Sequence, residues 1–233
     1  MSSKTPLEYS FRIHRVRFTA LLGLLVLVLI ANHTMLQIFH YRWQRGHWLI
    51  RNLFDVDAED SIPTWCSTAL LLLSAALLFL IASVKTREAD GFARHWSFLA
   101  FGFLLLSLDE VAGLHESLNT VLDFSWTIPG AVVVAVIGLL FVRFLWHLPR
   151  RTCAGFLVAG GIFVTGAVGV EHSADWYLEA HSMNSLGYNL LTGLEEGLEM
   201  FGVVVFIGEL LHYIERGPVA TIPIIVEETH EAS

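Results

Sequence analysis

Residues 187–213 read GYNLLTGLEEGLEMFGVVVFIGELLHY, a largely apolar stretch that is long enough to cross a membrane as one helix. A spanning helix needs about 20 such residues, because each advances the helix by about 1.5 Å across a hydrocarbon core of about 30 Å. Glu195, Glu196 and Glu199 nevertheless lie inside this stretch. A charged side chain at membrane depth costs about 2.5–3.5 kcal/mol on insertion scales, so these acids are expected to face protein or water.

Five further stretches have the same apolar character. The six predicted spans are residues 18–38, 64–84, 96–118, 127–147, 153–177 and 187–213. The chain has 233 residues, of which 55% are hydrophobic and 15% charged, and its mean hydropathy is +0.60. This composition is typical of a multi-pass membrane protein. The prediction is an all-α integral membrane protein, with a six-helix transmembrane bundle in residues 1–217 and a cytoplasmic tail in residues 218–233.

The distribution of basic residues predicts an orientation. With the N-terminus inside, 11 of the 14 Lys and Arg residues fall on the inner side, and only Arg42, Arg45 and Arg51 fall outside. Because inner segments are enriched in Lys and Arg, both termini are expected to be cytoplasmic.

The net charge of −8 does not suggest a nucleic-acid partner, and the expected surroundings are the lipid bilayer. Cys66 and Cys153 then lie on opposite sides, which disfavours a disulfide between them.

Nine of the 22 acidic residues lie at or near the outer ends of three spans, so the predicted topology places them at a similar depth. Three acidic helix faces at one depth cannot all face lipid, and we expect them to converge. The nine are Asp109, Glu110, Glu116, Glu171, Asp175, Glu179, Glu195, Glu196 and Glu199.

Helical spacing indicates which of these side chains share a face. On a regular helix Asp109 and Glu116, seven residues apart, lie on one face, with Glu110 about 100° away and His115 further round. In the 153–177 span an arc of about 100° contains Glu171, His172, Asp175 and Glu179. In the 187–213 span the three glutamates Glu195, Glu196 and Glu199 form a similar arc.

Carboxylates gathered in this way need counter-charge, because like charges raise each other's pKa values. A divalent metal ion supplies it, and carboxylate-rich ligand sets favour Fe or Mn, with Zn as the alternative. The predicted metal ligands are His115, Glu116, Glu171, His172, Asp175, Glu196 and Glu199. The predicted catalytic residues, which would orient ligands or transfer protons, are Asp109, Glu110 and Glu195.

The loop between the first two spans is the largest outer element. Its first half is expected to lie in the membrane interface as a short amphipathic helix. Its acidic run is expected to be a solvated turn, and consists of Asp55, Asp57, Glu59 and Asp60. His33, at the outer end of the first span, is a further residue that could approach the acidic site.

The string from Ser107 to Glu116 (SLDEVAGLHE), a later Glu-His pair and Glu195-Glu196-x-x-Glu199 resemble a pattern of uncharacterised multi-pass bacterial membrane proteins. That resemblance implies a location in the bacterial inner membrane and no particular reaction. The CAAX-type intramembrane proteases carry EExxxR, but Met200 stands here where the arginine would be. The ceramidase and progestin-receptor-like superfamily usually has seven helices and His-x-x-x-His, which this chain lacks. A comparable donor set could still come from Ser107, Asp109, His115 and His172.

The sequence therefore predicts a metal-dependent membrane enzyme that acts on a lipid or another hydrophobic molecule such as a quinone. A cation or proton transporter that uses the same acids is the first alternative, although the inner halves of three spans are almost purely apolar. An accessory subunit of a membrane complex is the second. Homo-oligomerisation also stays open, because the Gly-rich segment AGFLVAGGIFVTGAVGV could pack against a second copy as well as within the bundle.

Overall fold

The computed structural model describes residues 14–114 and 127–217, and in these ranges the regular structure is entirely helical. The helices are α1 (Arg15–Trp43), α2 (Trp48–Leu53), α3 (Ile62–Arg87), α4 (Ala93–Ala112), α5 (Thr127–His147), α6 (Arg150–Val164), a π-helical segment (Thr165–Val170), α7 (Glu171–Leu178) and α8 (Leu186–Arg216). The run from α6 to α7 is one continuous span. Six spans in the described chain are long and apolar enough to cross a membrane, which confirms the predicted six-helix membrane protein.

The two ends of the bundle are distinct. Nε of Arg15 lies 3.1 Å from Oε2 of Glu215, so α1 begins where α8 ends. We call this the terminal end. The opposite end carries residues 44–61 and is called the loop end. Each span therefore has a defined direction, and the acids of α4, α7 and α8 lie toward the loop end.

The third span ends earlier than the spacing predicted. Gly113 adopts a left-handed conformation with φ +53°, and its N–H donates to the carbonyl of Asp109 at 2.8 Å. A glycine in this conformation is a common way to end a helix. The expectation of a continuous helix over 96–118 was therefore wrong. Glu116, which regular spacing predicted on one face with Asp109, lies outside the described residues.

α8 is the central helix of the bundle. It packs against α1, α3, α6, the π-helical segment and α7, and it is the most buried of the six spans. A Cβ on Gly202 would lie 2.8 Å from the backbone N of Phe163 and 2.9 Å from the carbonyl oxygen of Ala159. Because small residues allow such close approach, the backbones of α6 and α8 meet directly. The Gly-rich segment therefore packs within the bundle along this face.

Two apolar clusters fill the bundle. One lies toward the terminal end and is rich in aromatic rings, with Trp96 edge-on to Phe144 at a centroid distance of 5.0 Å. The other surrounds the middle of α8 and consists of Val26, Leu70, Leu71, Met200, Val203, Val204 and Ile207. These side chains separate the acids of α8 from the terminal end.

The acidic loop is not simply a solvated turn. Oδ1 of Asp55 lies 3.3 Å from Nδ1 of His33, and Oδ2 accepts a hydrogen bond from Nε2 of Gln37 at 3.2 Å. Both partners are 1% exposed. Burial opposes ionisation of Asp55, but the hydrogen bond and charge of His33, together with the Asp57 N–H and the Gln37 amide, outweigh it and lower the pKa of Asp55. The expectation of a fully solvated run was wrong at this residue, because its partners lie on α1.

Candidate functional site

Six acidic side chains line one cavity of about 70 Å³ between α4, α7 and α8. They are Asp109, Glu110, Glu171, Glu195, Glu196 and Glu199. The rest of the wall is apolar and consists of Leu71, Leu106, Phe163 and Ala167. A water molecule needs about 15–30 Å³ depending on the measure, so the cavity has room for a few waters or small ions.

α8 supplies half of the acids. Glu195 and Glu199 are one turn apart and so share a face, while Glu196 lies about 100° round the helix. All three are half-buried. The strongest charge interaction of both Glu196 and Glu199 is with Glu110 of α4. The carboxylates of two different helices therefore act on one another across the cavity.

α4 presents its acids in its last turn, just before Gly113 ends the helix. The partial negative charge at a helix C-terminus disfavours nearby carboxylates, so this position adds to the need for counter-charge. Oγ of Ser107 donates to the carbonyl of Thr68 at 3.0 Å and fixes α4 against α3. The carboxylate of Glu59, in the acidic loop, packs against Gly113 at the C-terminal end of α4.

The π-helical segment places Glu171. It precedes this residue directly, and its wider turn changes the direction of every following side chain relative to a regular α-helix. A Cβ on Gly166 would lie 2.7 Å from the carbonyl oxygen of Glu195, so the segment approaches α8 closely. Ala167 of the same segment lines the cavity. π-helical turns are frequent at functional sites, and here the turn borders the acidic cavity.

Of the remaining predicted ligands, the two that the structure describes do not line the cavity. His172 is exposed, and Asp175 is half-buried one turn beyond Glu171. His115 and Glu116 lie outside the described residues. Within the described ranges, moreover, no three His, Cys, Asp or Glu side chains form a group that could hold a metal ion. The described cavity thus offers converging carboxylates without a completed ligand set.

The acidic loop also reaches the site, which the sequence reasoning did not anticipate. Asp57 interacts electrostatically with Glu196. The signal in the sequence is the dense acidic run between two apolar spans, which by itself predicts a solvated turn. His33 does not line the cavity; it lies between α1, α8 and the loop.

A family model described as "Domain of unknown function (DUF8692)" matches residues 21–213. The chain belongs to this family. No curated protein and no solved structure matches the chain. The matched range contains every residue that lines the acidic cavity, so the site lies within the region by which the family is defined.

Proposed function

We propose that this membrane protein is a metalloprotein that binds one or two divalent metal ions in its acidic cavity. The observation that supports the proposal is the convergence of six carboxylates from three helices on one cavity of about 70 Å³. Carboxylates at membrane depth are costly to ionise without counter-charge, and a divalent ion supplies it. A carboxylate-rich donor set favours Fe or Mn, with Zn as the alternative.

The residues divide into two groups in this proposal. Glu171, Glu196 and Glu199 bind the metal directly, and Asp109, Glu110 and Glu195 orient them or transfer protons. The further predicted ligands, which would join on metal binding, are His115, Glu116, His172 and Asp175. A coordination position left open would activate water or oxygen.

A hydrophobic substrate fits the other wall of the cavity. Leu71, Leu106 and Phe163 face the acids, and Leu106 is also 38% exposed at the surface of the bundle. A molecule dissolved in the bilayer, such as a lipid or a quinone, could therefore approach the metal from the side. The basic-residue distribution supports an orientation with the loop end outside. The resemblance to uncharacterised multi-pass bacterial membrane proteins supports a bacterial inner-membrane location.

Proton sharing is the competing function, and one observation favours it. The described acids line a common cavity without forming a metal-binding group of three, which suits pairs of carboxylates that share protons. A path for transport would have to continue toward the terminal end. Val203, Val204 and Ile207 are buried there in an apolar cluster, so the described residues offer no polar continuation along this part of α8.

Elemental analysis of the protein purified in detergent without chelators separates the two functions. The test variant is Glu196→Gln/Glu199→Gln, and the matched control is Glu209→Gln, a half-buried glutamate of α8 that does not line the cavity. The metal proposal expects about one or two Fe, Mn or Zn per chain in the wild type and the control, and loss in the test variant. A metal-free wild type would reject it and leave proton sharing.

A further inference from the structure

A second cavity of about 70 Å³ lies at the loop end, between the end of α1 and the short helix α2. Its lining residues are Leu36, His40, Arg45, Gly46, Trp48 and Arg51. It shares no residue with the acidic cavity. Arg45 and Arg51, two of the three arginines predicted to lie on the outer side, therefore line a single cavity.

Among the described residues, the two guanidinium groups have no anionic partner. No hydrogen bond or ion pair is made by the side chain of Arg45 or Arg51 within residues 14–114 and 127–217. The acids of the same loop bind elsewhere, since Asp55 contacts His33 and Asp60 accepts a hydrogen bond from Asn52 at 3.5 Å. A cavity with two guanidinium groups that no described side chain pairs with is complementary to an anion with several oxygens, such as a phosphate group.

The surroundings of this cavity match a membrane interface. On α2 the exposed side chains Leu49, Ile50 and Leu53 fall within an arc of about 100°, and Arg51 lies on the opposite side. Trp43 and Trp48 are also exposed next to it. A helix with one apolar and one basic face, flanked by tryptophans, lies in the plane of the interface with its apolar face toward the acyl chains.

We propose that this cavity binds the phosphate group of an anionic phospholipid in the leaflet at the loop end. Arg45 and Arg51 donate to the phosphate oxygens, and the His40 ring offers a further donor. Trp48 and the apolar arc of α2 lie along the glycerol and the first carbons of the acyl chains. The site is independent of the metal proposal, because it lies on different residues.

Native mass spectrometry of the full chain in detergent, titrated with phosphatidylglycerol and with phosphatidylcholine, tests this site. The test variant is Arg45→Gln/Arg51→Gln, and the matched control is Arg42→Gln, an exposed arginine at the end of α1 that does not line the cavity. Each basic residue near an anionic lipid contributes roughly fivefold in affinity, so the double variant should bind phosphatidylglycerol roughly 25-fold more weakly. A lysine pair, Arg45→Lys/Arg51→Lys, keeps the charge and should retain most of the binding.

Three outcomes would overturn the proposal. The double variant could bind phosphatidylglycerol as tightly as the wild type while keeping its melting temperature. Phosphatidylcholine could bind as tightly as phosphatidylglycerol and with the same loss in the variant, which would mean that no anionic lipid is preferred. Inorganic phosphate at equal concentration could displace the lipid completely, which would assign the site to free phosphate.

Discussion

The Nε2 atom of His33 lies 3.0 Å from the carbonyl oxygen of Asn189, which links α1 to the first turn of α8. The other ring nitrogen, Nδ1, lies 3.3 Å from both the Asp55 carboxylate and the Val56 N–H. A neutral ring with its proton on Nε2 accepts from Val56, whereas a protonated ring donates to Asp55. In either state one buried imidazole connects two spans and the acidic loop. Gly193 leaves room for it, since a Cβ there would lie 3.1 Å from Cδ2.

Replacing His33 with alanine should therefore destabilise the protein strongly. The variant loses a buried ring and leaves hydrogen-bonding groups of the loop and of α8 without a partner, which together cost about 2–4 kcal/mol. A double-mutant cycle with Asp55→Ala should show a coupling of about 1 kcal/mol or more, because the two side chains are in contact. Unfolding in detergent measures both. The exposed His181→Ala is the control, and additive effects at His33 and Asp55 would contradict the coupling.

The lowered pKa of Asp55 predicts a dependence of stability on pH. A carboxyl group whose pKa is lower in the folded state stabilises the fold above its unfolded value of about 3.9, and this contribution is lost as pH falls through the lower folded value. Asp55→Asn should therefore melt below the wild type at neutral pH, and the difference should begin to shrink below about pH 4 and vanish once the pH is below the folded pKa of Asp55. Asp60→Asn, an exposed acid in the same loop, should show no such trend. A difference that persists unchanged at low pH would show that the charge is not the cause.

The six spans and the depth of the acids could be predicted from the sequence, because hydropathy and length decide membrane crossing locally. The sequence did not indicate which of the six spans forms the central helix. α8 and α5 are both apolar, but α5 is largely exposed along its first half while α8 is buried against its neighbours. Burial depends on which helices meet, and the hydropathy of each span carries no information about that.

Two backbone features also escaped the sequence reasoning. Regular helical spacing was extended through Gly113 and through residues 165–170, but the first has φ +53° and the second is π-helical. The π-helical turn changes the direction of the side chains that follow it relative to a regular α-helix. Within the predicted acidic arc, Glu171 lines the cavity while His172 is exposed. Asp55 was misjudged for a different reason, since its partner His33 is distant in sequence.

The contact between α6 and α8 predicts a difference between two glycines. Gly202→Ala would place its Cβ 2.8 Å from a backbone nitrogen of α6, so the helices must separate. Overpacking of this kind typically costs about 1–3 kcal/mol. Gly160→Ala, on the exposed face of α6 with nothing within 4 Å, should be neutral or stabilising by up to about 1 kcal/mol. Melting temperatures in detergent compare them, and equal effects would mean that this close approach does not hold the bundle together.

Removing one charge from the acidic cavity should change stability in opposite directions with and without metal. In chelator Glu199→Gln should melt above the wild type, because the substitution relieves repulsion from Glu110 and the other acids of the cavity. With Mn²⁺ at about 100 times its dissociation constant the wild type should gain about 2.7 kcal/mol, and the variant should gain much less. Glu209→Gln, outside the cavity, should follow the wild type in both conditions. If Glu199→Gln melts lower in chelator and responds equally to Mn²⁺, the carboxylate is a structural hydrogen-bonding group and not a metal ligand.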